Sequence, residues 1–344
     1  MEASEAAKNA LKCVLEAKKG EHITIFCDRE KLEVSEMFVV GAIKLGLKAR
    51  LVRLKSEANV FREKVPPEIV SIFEKRPADI YINLLRGVRE ETSFRIELTK
   101  METETHKTRL AHCPGIMMDM LTGGALALTI KGHEQMQSFA QKMISKLGEA
   151  VEVEVTNPSG THITMSVKGR PFFTDTVLDR KTLKWMNLPT GEVIVAPVED
   201  SLEGKLVCDM AIGGIGPINK PLEVIARKGK AYKTSSQEPQ VLKKVRDSLK
   251  TDSRADIVGE FAFGINRKAR FVQEFLESEK VFGTIHVAFG NNSDMPCGKN
   301  PSKNHMDLLV SKPTVKVTKK DGTTVEVLKA GTFKKTITCP SCNV

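Results

Sequence analysis

Apolar residues in the first part of the chain follow two alternating rhythms. Short runs such as His22-Ile-Thr-Ile-Phe-Cys27, Ala49 to Leu54 and Asp79-Ile-Tyr-Ile-Asn-Leu-Leu85 read as strands. Between them lie stretches with helical spacing: an amphipathic opening segment, a stretch through Val39 and Val40 to Leu47, and one opened by Pro66-Pro67, where proline's missing N–H costs least. This repetition predicts a parallel, doubly wound α/β sheet. A further helix is predicted over about 132–147, and beyond it the texture changes. Val151-Glu-Val-Glu-Val155 and Thr161-His-Ile-Thr-Met165 alternate with period two, which predicts a mixed, largely antiparallel α+β domain. A length of 344 residues suits two cores rather than one. The expected division is an N-terminal α/β domain over 1–148 and a C-terminal domain over 149–344.

Composition narrows the classes of function. The apolar share of 41% and the charged share of 28% are those of a globular protein. The opening Met1-Glu-Ala-Ser-Glu carries acids where a secretory signal would be basic, and no run approaches the roughly 20 apolar residues that span a bilayer. Seven scattered cysteines read as free thiols, so the expected setting is cytoplasmic, with no membrane partner. The net charge of +10 raises the question of nucleic acid. Basic and acidic residues are interleaved, however, and aromatics are only 5%, so no nucleic-acid partner is expected. Gly41 and Gly46 fall in or at the end of a helical pattern, and Gly213-Gly214-Ile-Gly216-Pro217 lacks a following Lys-Ser/Thr, so neither region reads as a phosphate loop. A nucleotide cofactor is not indicated.

Candidate chemistry concentrates in the C-terminal half. In Gly259-Glu-Phe-Ala-Phe-Gly264, strand period puts Glu260, Ala262 and Gly264 on one face and the two phenylalanines on the other. Gly283-Thr-Ile-His-Val-Ala-Phe-Gly290 repeats the pattern with His286, Ala288 and Gly290. A ligand-type residue sharing a face with small ones leaves room for a metal ion and a substrate. His305-Met-Asp307 adds two donors on one side of a third strand. One histidine in a strand is more often a satisfied core residue than a ligand; the matched combination points to a metal site. Two imidazoles with carboxylates suit a borderline divalent metal, and further carboxylates favour two ions about 3.5–4 Å apart. The additional candidates are Glu192, presented by a Pro-Thr-Gly turn, and Glu279, within Glu277-Ser-Glu-Lys280 at what reads as a charged helix end.

The segments Asn187-Leu-Pro-Thr-Gly-Glu-Val, Gly-Glu-Phe-Ala-Phe-Gly-Ile-Asn266, Glu279-Lys-Val-Phe-Gly-Thr-Ile-His-Val-Ala-Phe-Gly290 and His305-Met-Asp together resemble the aminopeptidase T family of thermophilic metallo-aminopeptidases, in the same order. The resemblance covers about 150–328, and the first half more loosely. It implies a homodimer acting on small peptides. It also implies two divalent ions (Zn, Co or Mn) on Glu192, Glu260, His286, His305 and Asp307, with Glu279 at a spacing from His286 that differs from the family's. Either Glu192 or Glu260 would take the proton of a metal-activated water. The family's tyrosine after the histidine is missing from Asn291 to Gly298; only Tyr81 and Tyr232 exist. The same superfamily includes mononuclear Fe(II) enzymes that open dihydroxypyridine rings with residues matching His286, His305 and Asp307. In that alternative His112 would contact the substrate; otherwise it closes a strand before a turn. The terminal Cys339-Pro-Ser-Cys342 lacks a second such pair and reads as a reactive tail rather than a zinc site.

Overall fold

In the computed structural model of the chain the residues described are 1–57, 59–75, 77–104, 107–179, 183, 185–335 and 337, so Cys339 and Cys342 lie outside them. The chain divides into two compact units. One comprises Met1–Gln135, Asp175–Thr190 and Lys268–Arg270, the other Met136–Thr174, Gly191–Arg267 and Phe271–Val344.

The first unit is a five-stranded, all-parallel sheet in the order Lys48–Arg53, His22–Cys27, Ile80–Leu84, Arg109–His112, Trp185–Asn187. Its central strands are buried on both faces, which is why they read as apolar runs. Ile23, Ile25, Ile80, Ile82 and Ala111 pack on one side with the helices Ala3–Cys13 and Leu32–Lys44. Phe26, Tyr81 and Leu110 pack on the other with Ile69, Phe94 and Leu98. The sheet is therefore doubly wound. The second helix stops at Lys44, short of the expected Leu47, because Gly46 turns left-handed (φ +75°). Its N–H bonds back to the Ile43 carbonyl and that of Leu47 to the Ala42 carbonyl, which ends the helix.

Doubly wound sheets bind ligands at the carboxyl ends of strands where the winding reverses. Here Asp28 and Arg86 follow the two strands at that point, and side chains fill it. Arg62 reaches Asp28 at 2.6 Å and Glu91 at 2.5 Å, Arg86 reaches Glu91 at 2.5 Å, and the Arg62 guanidinium lies 4.3 Å from the Phe94 ring centre. Paired in this way, both buried acids are charge-compensated.

The second unit contains two antiparallel sheets. An eight-stranded one runs Lys230–Ser236, Leu222–Arg227, Glu203–Cys208, His162–Ser166, Ala150–Thr156, Thr314–Lys319, Thr324–Lys329, Thr332–Phe333. Its strands alternate buried and exposed residues, the signature seen in the sequence at Val151–Val155. The other sheet has seven strands: Gly216–Pro217, Ala211–Ile212, His305–Val310, Ile285–Gly290, Val258–Gly264, Glu192–Val195, Phe173–Thr174. Here the strands carrying Glu192, Glu260 and His286 are buried on both faces. Phe261 and Phe263 pack edge to face at 4.9 Å, and Phe263 continues through Phe333 to Phe282. The opposite face of these strands is ionisable. The fold is thus a parallel α/β unit followed by a largely antiparallel one. Cys27, Cys113, Cys208 and Cys297 are free thiols, and no helix among the described residues is long and apolar enough to cross a membrane.

Burial pushes the His133 imidazole down to about 4, and burial with a smaller contribution from the Arg95 charge pushes His112 down to about 3. Both rings are neutral in the folded chain, while the unfolded chain takes up protons from the ordinary value of 6.5 downward. These two residues therefore leave stability unchanged above pH 7 and lower it as pH falls through 6.5, by up to about 1.4 kcal/mol per pH unit each. In urea titrations at pH 7 and pH 5, His133→Leu is expected to lose less stability on acidification than the unaltered chain.

Candidate metal centre

Four neighbouring strands of the seven-stranded sheet carry the centre. Antiparallel register sets Glu192 opposite Gly264, His286 opposite Ala262, and His305 opposite Gly290, while Ala288 lies between Glu260 and Asp307. Directly opposed residues share a face with their Cβ atoms about 4.5–5.5 Å apart. Each of these five ionisable side chains thus faces glycine or alanine across the strand gap and leans toward the others without a collision. Gly259 sets the phase. It is the extra residue of a bulge in which Val258 pairs with Phe289 and Glu260 with Ala288. The bulge keeps Val258 on the apolar side and turns Glu260 to the ionisable one.

Small residues were expected to make room on this face, and Ala262 and Ala288 fit that reading. Gly264 and Gly290 have a different purpose. A Cβ on Gly264 would lie 2.2 Å from the Val281 carbonyl oxygen and 3.0 Å from that of Glu279, so its absence lets the 279–281 backbone settle on the strand. A Cβ on Gly290 would lie 2.1 Å from the Asn304 carbonyl oxygen, and its φ is +116°. Gly213, in the glycine cluster noted in the sequence, donates its N–H to the Asp307 carbonyl at 2.9 Å; a Cβ there would meet the Asp307 carboxylate at 3.2 Å.

The side chains converge on two imidazole nitrogens. His286 Nε2 lies 3.2 Å from Glu260 Oε1, 3.3 Å from Glu192 Oε1 and 3.9 Å from Asp307 Oδ1. His305 Nε2 lies 3.3 Å from both Glu260 Oε2 and Asp307 Oδ1. Its Nδ1 sits 2.9 Å from the Asn291 carbonyl, which can only accept, so Nδ1 carries the hydrogen and Nε2 is left to act as a ligand. Glu260, His286 and Asp307 offer donor atoms within 4.8 Å of one another, and so do Glu192, Glu279 and His286.

One ring nitrogen facing three carboxylate oxygens has at most one proton to share among them, whereas a cation satisfies all of them. Burial opposes charge on His286, yet Glu192, Glu260 and Asp307 push it up to about 10. Burial likewise opposes charge on His305, which Asp307 and Glu260 hold well above the ordinary histidine range. Burial would raise the Glu260 carboxyl, and the two imidazoles overcome that and hold it well below the usual range. In the metal-free chain, protons on the imidazoles thus do the work of a cation, and the donor set of two imidazoles and carboxylates fits a divalent ion that would displace them.

The segment that carries Glu279 departs from the sequence reading. The Glu277-Ser-Glu-Lys280 segment, read as a charged helix end, is buried throughout. Burial pushes the Glu279 carboxyl up against the pull of the Lys280 charge. The Lys280 side chain is 2% exposed, and its Nζ donates to Glu192 Oε2 and, at 2.7 Å, to Glu279 Oε1. Nothing in the sequence singled out Lys280, since a lysine next to a glutamate ordinarily marks a solvated surface. The asparagines behind His305 also went unread. Asn304 donates to the Ala255 and Phe289 carbonyls at 3.0 Å each and accepts from Ser248 at 2.6 Å, while Asn300 bonds the Gly290 carbonyl at 2.7 Å. His112 belongs to the parallel unit. Its Nδ1 pairs with Asn83 Oδ1, and Asn83 donates at 2.8 Å to Glu102, whose carboxyl burial pushes well above the usual range.

A buried donor set of imidazoles and carboxylates is of the kind that holds a divalent metal. The sequence profile of the thermophilic metalloprotease (M29) family matches residues 129–333, more than half of the chain, and the chain belongs to that family. A divalent metal and peptide substrates are what this family implies. Among solved structures, wild-type AmpT from Thermus thermophilus is similar at a TM-score of 0.72, with 17% identity over 96% of this chain and 98% of that one. The 2,5-dihydroxypyridine dioxygenase from Pseudomonas putida KT2440 is similar at 0.66, with 14% identity over 96% of both chains. At such identities the likeness establishes the fold. No curated protein sequence matches at a significant level.

Replacing Gly290 by alanine forces a side chain into left-handed backbone against the Asn304 carbonyl and displaces the His305 strand. The Gly290→Ala variant is expected to lose at least about 1–3 kcal/mol in urea unfolding, with a matching fall in bound metal; an unchanged midpoint would contradict this account.

Proposed function

We propose that the chain is a metallo-aminopeptidase whose catalytic groups lie within the C-terminal domain, residues 149–344. The observation that carries this reading is the convergence of His286 Nε2 and His305 Nε2 on the two oxygens of Glu260 and on Asp307 Oδ1. His286, His305 and Asp307 are the proposed ligands, with Glu260 beside both imidazoles. A divalent ion held there supplies Lewis acidity, which activates water and polarises a scissile carbonyl.

The chain's own groups supply the rest. Glu260, ionised at neutral pH, takes the proton from the attacking water at a carboxylate oxygen and returns it to the departing amine. The His305 side chain is 35% exposed while those of Glu192, Glu260 and His286 are 6% or less, so water and substrate approach from the His305 side. Apolar packing of Phe261, Phe263 and Val287 behind the strands keeps the donors fixed and bulk water away from their other face. Of the two ions that the family resemblance implies, one finds donor atoms of Glu260, His286 and Asp307 within 4.8 Å of one another, with His305 Nε2 3.3 Å from both Glu260 Oε2 and Asp307 Oδ1.

A ring-cleaving dioxygenase using Fe(II) on His286, His305 and Asp307 is the second reading, favoured by the two-histidine, one-carboxylate set and by the missing tyrosine over 291–298. One comparison separates the two. Protein loaded with Zn, Co or Mn is expected to hydrolyse unblocked aminoacyl amides, and Glu260→Ala to lower kcat by about 10²–10⁴-fold. Oxygen uptake with a dihydroxypyridine by the Fe(II) protein, together with no amide cleavage, would establish the alternative.

A further inference from the structure

The two donor groups at this centre share His286 but differ in what already occupies them. Around Glu260, His286, His305 and Asp307, the facing groups are imidazole nitrogens, which can themselves be metal ligands. Between Glu192 and Glu279 stands the Lys280 ammonium, donating to one oxygen of each. Its side chain is among the largest fully buried ones of the described residues, and both partners are buried with it. A fixed cation thus holds two carboxylates that would otherwise face a second metal ion, and the remaining Glu192 oxygen turns toward His286 at 3.3 Å.

The backbone builds this arrangement in. Gly264 admits the 279–281 segment, the Asn266 N–H bonds the Lys280 carbonyl at 3.0 Å, and the Gly264 N–H bonds the Thr284 carbonyl at 3.0 Å. The Lys280 backbone is thereby anchored to the Glu260 strand, and its side chain is 2% exposed. Two ions of a dinuclear centre sit about 3.5–4 Å apart. A divalent ion placed on Glu192 and Glu279 would lie against a buried positive charge that already uses one oxygen of each.

We propose that Lys280 is a built-in replacement for a second metal ion: its ammonium neutralises Glu192 and Glu279, and the centre takes up one exchangeable divalent ion, on the histidine side. This rests on the metal-centre reading above and changes the expected stoichiometry from two ions to one. The lysine is a positioning residue, holding Glu192 beside His286 with no contact to the reacting atoms required of it.

The test is metal stoichiometry of the full chain, with Mn(II) binding followed by calorimetry and by electron paramagnetic resonance. The unaltered chain is expected to bind one Mn(II), with the spectrum of an isolated ion. Lys280→Ala, and Lys280→Met, which keeps the side-chain bulk, are expected to bind a second Mn(II), with a spectrum broadened by exchange between neighbouring ions. Two ions bound by the unaltered chain would overturn the proposal even if neither variant folds, and so would folded variants that still bind only one. His305→Ala with Asp307→Ala separates the two levels of inference. If that double variant binds Mn(II) as tightly as the unaltered chain, or if the unaltered chain binds none, the metal-centre reading itself falls, and the role of Lys280 with it.

Discussion

Four carboxylates, those of Glu192, Glu260, Glu279 and Asp307, are crowded into one buried region, and like charges so placed persist only with cations among them. This requirement organises the second unit. His286 and His305 answer it on one side and Lys280 on the other. The displacement of both imidazoles far above their ordinary range expresses the same imbalance, since the acids hold protons on rings that burial alone would strip. A bound divalent ion relieves it more fully than protons, because one ion faces several oxygens at once while each ring nitrogen has one hydrogen to give.

Holding such a cluster requires a rigid support and unhindered side chains. Antiparallel pairing supplies both, with glycine or alanine opposite each of the five donors on the strands and a bulge at Gly259 that brings Glu260 into phase with Asp307. The apolar face behind these strands is filled by phenylalanine, valine and isoleucine, so a shift of register by one residue would exchange aromatic rings for carboxylates. The same two-sided burial explains why the glycines admit backbone: Gly264 receives the Lys280 segment and Gly290 the Asn304 turn.

Much of this was legible in the residues themselves. Period-two patterning put Glu260, His286, His305 and Asp307 on common faces, and apolar runs alternating with helical stretches predicted the parallel sheet, because both signals are local. Glu192 was legible from its Pro-Thr-Gly turn. What escaped depends on contacts between distant segments. The return of Asp175–Thr190 to the first unit carries no local signature. Lys280 reads as surface charge until its partner 88 residues away is known. The bulge at Gly259 and the purposes of Gly264 and Gly290 appear only from the strand register, and the asparagines that brace the His305 strand look like ordinary loop residues.

The central claim is that a single cation-requiring focus lies between the two imidazoles, Glu260 and Asp307. Crystals of the full chain soaked in Zn(II) or Mn(II), with anomalous scattering recorded at the metal edge, test it most directly. The account predicts one anomalous peak per chain, bound by His286 Nε2, His305 Nε2 and Asp307, with the Lys280 ammonium still between Glu192 and Glu279. A peak between Glu192 and Glu279, or none at the histidines, would contradict it.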